Sequence, residues 1–368
     1  MAEYLEKYGI KRYLNAFDTV TVFGASRMAE NTKEAMDQVS RCFVDILQMQ
    51  RTLGEHVARR TKNEAAYICN GAAGGVQLCA AVCMAKGSDY HYQHLPDTDG
   101  CPNEFLVLHA QHNTYDKAIE TAGGKIVLVG DADEVLPFDL EGRMGEKTAG
   151  VFYCPASIYQ RGSLPLSQVA EMAHRHGIPV IVDAAAQLPP MDNLWRFSEE
   201  GADMVIFSGG KTLCGPQASG LIVGKKQFIE DCIRFGAPMH GVCRSNKVSR
   251  EGMIGLAVAI DNYLDADHEA QGRIMSGIVD DLVAAMAQSG KAEAYRVEHG
   301  SVGQSYPRAF GRLKEGISAT AVTQKMREAG IFIGCNGESS TIYFSPLNLT
   351  ETEAKEVCAV LSKILADM

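Results

Sequence analysis

The chain lacks any apolar run approaching the roughly 18 residues that a membrane-spanning helix requires, so no membrane partner is expected. It also lacks a Cys-x-x-Cys pair, and its 11 cysteines are scattered from Cys42 to Cys358. A secreted disulfide framework would show compact, even spacing, so a reducing compartment is expected. Basic patches are missing too: 35 Lys and Arg face 45 Asp and Glu, for a net charge of −10. An acidic surface repels phosphate backbones, so nucleic acid is not an expected partner. The densest basic clusters, Arg59-Arg60-Thr61-Lys62 and Lys225-Lys226, read as solvated helix faces. The opening residues carry acids and tyrosines where a secretory leader needs a basic start and an apolar core, which points to a cytoplasmic location. Cys79/Cys83, His91/His94, His109/His112 and His174/His176 are close pairs, but none has a third ligand at a familiar zinc spacing. No metal site is expected.

What is present is ordinary globular material: 368 residues, 46% hydrophobic and 22% charged. That length suits one large domain and a lesser one. Short apolar runs recur at 66–69, 105–108, 126–129, 151–153, 180–182, 204–207 and 220–223. Helical patterns separate several of them, as at 74–85 and 166–176. Runs apolar on both faces and alternating with helices imply a parallel or mixed sheet covered on both sides, hence an α/β protein. Residues 252–289 read as one long helical region interrupted only by glycines. A smaller α+β unit follows, with strands near 309–313 and 342–345 and helices over 319–329 and from Thr350 onward, where Thr350-Glu351-Thr352-Glu353 forms a capping-box start. The expected division is an N-terminal segment over 1–50 contributing to the substrate site, a large domain over 51–255, and a linking helix with a small domain over 256–368. No Ser/Gly/Pro-rich linker or internal repeat separates them.

Four features carry chemistry. Asn70-Gly71-Ala72-Ala73-Gly74-Gly75 follows a strand and opens a helix, where small residues let backbone N–H groups approach an anion. It matches neither a Walker loop nor G-x-G-x-x-G, and tight helix–strand packing is the competing reading. Asp183 ends a buried strand, where α/β sheets place ligands, or else caps the next helix. Ser208-Gly209-Gly210-Lys211 puts a hydroxyl and an amine beyond another strand. Gly215-Pro216-Gln217-Ala218-Ser219-Gly220 turns the chain back. A phosphate cradle, a carboxylate for a ring nitrogen and a Schiff-base lysine are the division of labour at a pyridoxal 5'-phosphate site. The separation of 28 positions between Asp183 and Lys211 leaves room for one helix and one strand, which puts both on neighbouring strand ends.

VIVDAAAQLPP, DMVIFSGGKTLCGPQASGLIVG and YLNAFDTVTVFGASRMAE resemble the selenocysteine-synthase-like branch of fold-type-I pyridoxal-phosphate enzymes across nearly the whole chain. The resemblance implies an aspartate-aminotransferase-like fold: a large α/β domain carrying Asp183 and Lys211, and a small C-terminal α+β domain. It implies that Lys211 binds the cofactor, Asp183 pairs with its pyridine nitrogen, and Gly71, Ala72 and Ser208 hold its phosphate. His112 is the expected ring neighbour, against a helix-start histidine with no ligand role. Asn15, Thr19, Ser26, Arg244 and Lys247 are candidate substrate binders, with Arg308 as the alternative for an α-carboxylate; each could equally be a surface residue. The activity implied is a lyase that deaminates a hydroxylated amino acid, such as a 2-amino sugar acid phosphate, to a 2-keto-3-deoxy acid and ammonia. Selenium or sulfur transfer on a seryl-tRNA is the alternative, and aldolase, racemase and transaminase chemistry stay open. A homodimer or higher homo-oligomer is also implied.

Overall fold

The computed structural model describes residues 3–368, which form two compact units. The larger holds residues 27–265 with 301–303; the smaller holds the residues up to Ser26 with 266–300 and 304–368.

Seven strands build the sheet of the large unit: β1 (Ala65–Cys69), β2 (Glu104–Leu108), β3 (Lys125–Val129), β4 (Thr148–Tyr153), β5 (Val180–Asp183), β6 (Met204–Ser208) and β7 (Gly220–Gly224). Their spatial order is β1-β7-β6-β5-β4-β2-β3. β6, β5, β4, β2 and β3 pair in parallel, while β7 runs antiparallel between β6 and β1. The sheet is therefore mixed. Side chains alternate between two cores, as a pleated strand buried on both faces must. Leu106, Leu108, Val151, Val180, Val182, Val205 and Phe207 enter one core. Phe105, Val107, Phe152, Ile181, Met204 and Ile206 enter the other.

The first core is roofed by helix α1 (Ile46–Arg60), by α3 (Leu166–Arg175) and by α5 (Arg250–Asp265). The second is roofed by α2 (Gly71–Ala85) and α4 (Lys226–Phe235). α2 is the most buried helix, with every residue from Gly75 to Ala85 inside, which explains why its sequence is apolar all round rather than striped.

Residues 252–289 do not form one helix. α5 stops at Asp265 and α6 spans His268–Gln288, because the Asp267 carboxylate accepts the Ala270 N–H and starts a new helix. The break falls at an aspartate cap, not at a glycine. In the small unit, β8 (Ala292–Val297), β9 (Arg308–Leu313), β10 (Gly334–Asn336) and β11 (Thr341–Phe344) form an antiparallel sheet ordered β10-β11-β9-β8. One face packs on α6 and on α8 (Glu351–Ala366) through Ile278, Leu282, Ala309, Ile342, Phe344 and Leu361; α7 (Ala319–Glu328) joins the same core. On the other face Tyr295, Phe310 and Tyr343 stack across three strands. Among the described residues, no helix is long and apolar enough to cross a membrane.

Candidate active site

The carboxyl ends of β1, β5 and β6 converge with the start of β7. Gly220 sits opposite Cys69 on one side and Ser208 on the other. Beyond Cys69 the chain reverses at Gly71, whose φ of +64° suits glycine, and enters the 15-residue α2. The Asn70 side chain makes no capping bond there, which leaves the first N–H groups and the positive helix end without a side-chain cap. A Cβ on Gly220 would lie 2.6 Å from the Gly71 carbonyl carbon and oxygen and 3.0 Å from the Ala72 nitrogen. The start of α2 thus approaches β7 this closely because position 220 has no side chain.

The loop after Ser208 is tied shut. Gly209 accepts the Gly215 N–H at 2.8 Å and donates to the Ser219 carbonyl at 2.9 Å. A Cβ on Gly209 would fall 2.1 Å from the Ser219 Oγ. Lys211, half-buried, accepts the Cys214 N–H at 2.9 Å within this closed loop, which ties its backbone to the turn. Asp183 pairs in register with Ile206, two residues short of Ser208. Its Oδ1 accepts the Ala185 N–H at 3.0 Å. Burial pushes the Asp183 carboxyl above its ordinary range; the Ala185 N–H and the Lys211 ammonium pull it back, while Asp116 pushes it further up. A desolvated carboxylate with a single backbone partner is chemically suited to a protonated ring nitrogen. Cradle, carboxylate and lysine fit pyridoxal phosphate.

His112 hydrogen-bonds the Asp116 Oδ2 through Nδ1 at 2.7 Å. Asp116 is 7% exposed, whereas the His112 side chain is 49% exposed. The neighbouring Gln111 accepts the Cys154 N–H at 2.7 Å and donates to Ser163 Oγ at 3.0 Å, and Ser163 donates to the Tyr159 carbonyl at 2.7 Å. Cys154 follows Tyr153, which pairs with Val182, so Cys154 lies level with Asp183. Burial first, then Asp183 and Asp116, push the Cys154 thiol up to about 12, while Lys211 pulls it down. Tyr159 is likewise raised, by burial first and then by Cys154, Asp116 and Asp183. Cys154, Asp116 and Tyr159 therefore lie in the surroundings of Asp183. Sequence reasoning passed over all three, although a residue directly after a strand that neighbours the Asp183 strand was a usable signal for Cys154.

Arg244 and Lys247 are exposed on a segment that packs against α2: Asn246 donates to Gln77, Gln77 donates to the Val242 carbonyl, and a Cβ on Gly74 would lie 3.6 Å from the Asn246 Cβ. The remaining expected binders lie in the small unit. Asn15 closes its own turn, donating to the Asp18 carbonyl at 2.8 Å and accepting the Phe17 N–H at 3.0 Å. Thr19 is buried with its N–H on Asp18 Oδ1 at 2.7 Å. Arg308 is not a surface residue: 5% exposed, it bonds Asp18 at 3.0 Å and the Tyr306 hydroxyl at 2.9 Å through Nη2, while its buried Nη1 makes no hydrogen bond. Ser26, half-buried, is the last residue before the chain enters the large unit. The large unit thus gathers Gly71, Ala72, Ser208, Asp183 and Lys211 along one sheet edge, with His112 tied in through Gln111 and Asp116. Asn15, Thr19 and Arg308 share Asp18 instead.

Residues 115–300 match the family model described as SelA, L-seryl-tRNA selenium transferase. The chain is 31% identical over 287 residues to the D-glucosaminate-6-phosphate ammonia lyase of Salmonella typhimurium, covering 77% of this chain and 74% of that one. A solved D-glucosaminate-6-phosphate ammonia-lyase superposes with a TM-score of 0.86 at 28% identity, over 99% of this chain and 98% of the other. A serine palmitoyltransferase solved with pyridoxal phosphate has a TM-score of 0.63 at 12% identity over 96% and 87% of the two chains, a likeness of fold alone. The architecture is that of the fold-type-I pyridoxal-phosphate enzymes.

Proposed function

Because the chain belongs to the SelA family, we propose that it is a pyridoxal-phosphate-dependent ammonia-lyase acting on a hydroxylated amino acid, with D-glucosaminate 6-phosphate as its substrate. One observation carries this reading most: the strand register that sets Asp183, Ser208 and the start of α2 along one edge, with Lys211 in a closed loop after the same strand as Ser208.

Pyridoxal phosphate, when bound, supplies an electron sink that lets the Cα–H bond of an amino acid break heterolytically. Gly71 and Ala72 offer backbone N–H groups to its phosphate and Ser208 a hydroxyl. Asp183 holds a proton at its ring nitrogen; desolvation of this carboxylate makes a cationic partner favourable. Lys211 would anchor the cofactor, and its Nζ would accept the Cα proton. His112 would be the ring's neighbour and would give a proton to the departing β-hydroxyl. The resulting enamine hydrolyses to a 2-keto-3-deoxy acid and ammonia. Arg244 and Lys247 are assigned the distal anionic group. Arg308 is assigned the α-carboxylate, supported by its buried Nη1 without a protein partner. Asn15, Thr19 and Ser26 are assigned supporting contacts to substrate hydroxyls. A net charge of −10 disfavours a seryl-tRNA as substrate.

The proposed assembly is a homodimer or higher homo-oligomer. It is supported by apolar side chains left at the surface of the large unit, where Phe43 is 99% exposed beside exposed Val44 and Leu47. A cytoplasmic location is proposed on the 11 cysteines, all free thiols. The test is ammonia and 2-keto-acid release from D-glucosaminate 6-phosphate by protein loaded with pyridoxal phosphate, with Lys211→Ala as control. Release by the wild type alone is expected. Absence of release from protein that holds cofactor through Lys211 would refute the substrate.

A further inference from the structure

The His112–Asp116 contact carries more than a turn needs. Asn113 already begins the short helix 114–116 by accepting the Tyr115 N–H, and Asp116 Oδ2 returns a bond to the Asn113 N–H at 3.1 Å. The same Oδ2 also takes His112 Nδ1, at the shorter distance of 2.7 Å. A carboxylate can only accept, so Nδ1 carries the proton and Nε2 is left as the nitrogen that exchanges one. The location fits a reacting group. Gln111, next in the chain, is bonded to Cys154, and Cys154 lies level with Asp183 across neighbouring strands.

We propose that Asp116 is a positioning residue, one that fixes the Nδ1–H tautomer of His112 and balances its charge, so that Nε2 serves as the acid for loss of the β-hydroxyl. The inference rests on the lyase reading. His112 enters this step as the imidazolium, its Nε2 having taken a proton from water. The Cβ–O bond breaks, its electron pair goes to oxygen, and oxygen takes the Nε2 proton and leaves as water, returning His112 to the neutral Nδ1–H form. The electron pair of the broken Cα–H bond, whose proton has gone to Lys211 Nζ, forms the carbon–carbon double bond. Nδ1–H stays on Asp116 throughout.

The test compares Asp116→Asn, Asn113→Ala, His112→Gln and the Asp116→Asn/His112→Gln double variant, each loaded with pyridoxal phosphate. Three quantities are read: kcat and KM for ammonia release, exchange of the substrate Cα hydrogen with solvent deuterium, and the ¹⁵N spectrum of histidine-labelled protein without cofactor. Removing the partner of a functional imidazole typically lowers activity about 10- to 100-fold, so Asp116→Asn is expected to lose that much kcat with KM within about 2-fold. Cα exchange should persist, because Lys211 carries it out. Asn113→Ala disturbs only the cap and should lose less than about 3-fold. In the His112→Gln background, Asp116→Asn should cost nothing further. The spectrum should assign the Nδ1–H tautomer to His112. An Nε2–H tautomer in the wild type, equal loss of exchange and release, or an Asn113→Ala defect as large as that of Asp116→Asn would each overturn the proposal. A wild type that releases no ammonia would overturn the lyase reading and the step given to Nε2, with the tautomer still read independently.

Discussion

Replacing Gly220 with alanine tests the cradle directly. The added Cβ would sit 2.6 Å from the Gly71 carbonyl carbon and oxygen and 3.0 Å from the Ala72 nitrogen. Carbon contacts are comfortable near 3.5–4.0 Å, so the helix start must retreat by roughly 1 Å. Those neighbours are backbone atoms, so no rotamer change relieves the clash. β7 cannot move away either, because it is hydrogen-bonded to β1 and β6 on its two sides. Overpacking of this kind typically costs about 1–3 kcal/mol of stability. The larger effect falls on the cofactor. Losing one charge-assisted hydrogen bond to its phosphate forfeits about 1.5–3 kcal/mol, which corresponds to roughly 10- to 100-fold weaker binding. Titration of cofactor-free protein with pyridoxal phosphate, followed by absorbance, measures this, and urea unfolding of the same samples measures stability. Gly277→Ala in α6 is the control: no atom lies within 4 Å of its Cβ position. It should leave cofactor affinity unchanged and gain up to about 1 kcal/mol from helix propensity. A folded Gly220→Ala protein whose cofactor affinity stays within about 2-fold of wild type would refute the assignment of the phosphate to this cradle.

The raised pKa of Asp183 gives a signed prediction for protein without cofactor. The folded chain holds this proton to a higher pH than the unfolded chain, so its contribution to stability is intact at low pH and is lost as pH rises through the folded pKa. Asp183→Asn should therefore raise the thermal midpoint at pH 7, with the gap closing towards pH 3, while kcat of the loaded enzyme falls; a lower midpoint at pH 7 would contradict the desolvation argument. Asp203 is 2% exposed and accepts the Val180 N–H at 2.7 Å, His174 Nε2 at 2.9 Å and Lys225 Nζ at 2.6 Å. The side chains of His174 and Lys225 are about two-fifths exposed and can return to water, so Asp203→Ala should cost about 1–3 kcal/mol in urea unfolding, mainly for the orphaned backbone N–H. Thr350 accepts the Glu353 N–H at 3.2 Å and Glu353 answers the Thr350 N–H at 3.0 Å. Thr350→Ala should lose about 0.5–2 kcal/mol in the same assay, with cofactor binding untouched.

The central sheet was legible because most of its strands are buried on both faces and all appear as uninterrupted apolar runs; the edge strand β3 is only partly buried. All seven expected runs are strands of that sheet. The box at Thr350 was legible because its four residues interact within one turn. β8 went unread: AEAYRV alternates alanine with charged and aromatic residues, and only its partner β9 and the helix behind it make it a strand. The helix break at Asp267 went unread because an aspartate favours a cap over a helix interior only where the chain can turn.

By itself the sequence determined the α/β alternation, the strand ends bearing Asp183 and Ser208–Lys211, and the family resemblance, all of which are local or follow from residue order. Tertiary structure alone decided what those ends face. Gly220 opposite both Cys69 and Ser208 is a matter of register, and the bond from Gln111 to Cys154 spans 43 residues. Arg308 is 290 residues from Asp18, and the hydrogen bond between them exists only in the folded chain. Hydrophobic period is set residue by residue, whereas the field around a carboxylate or an imidazole is set by whatever distant chain folds against it.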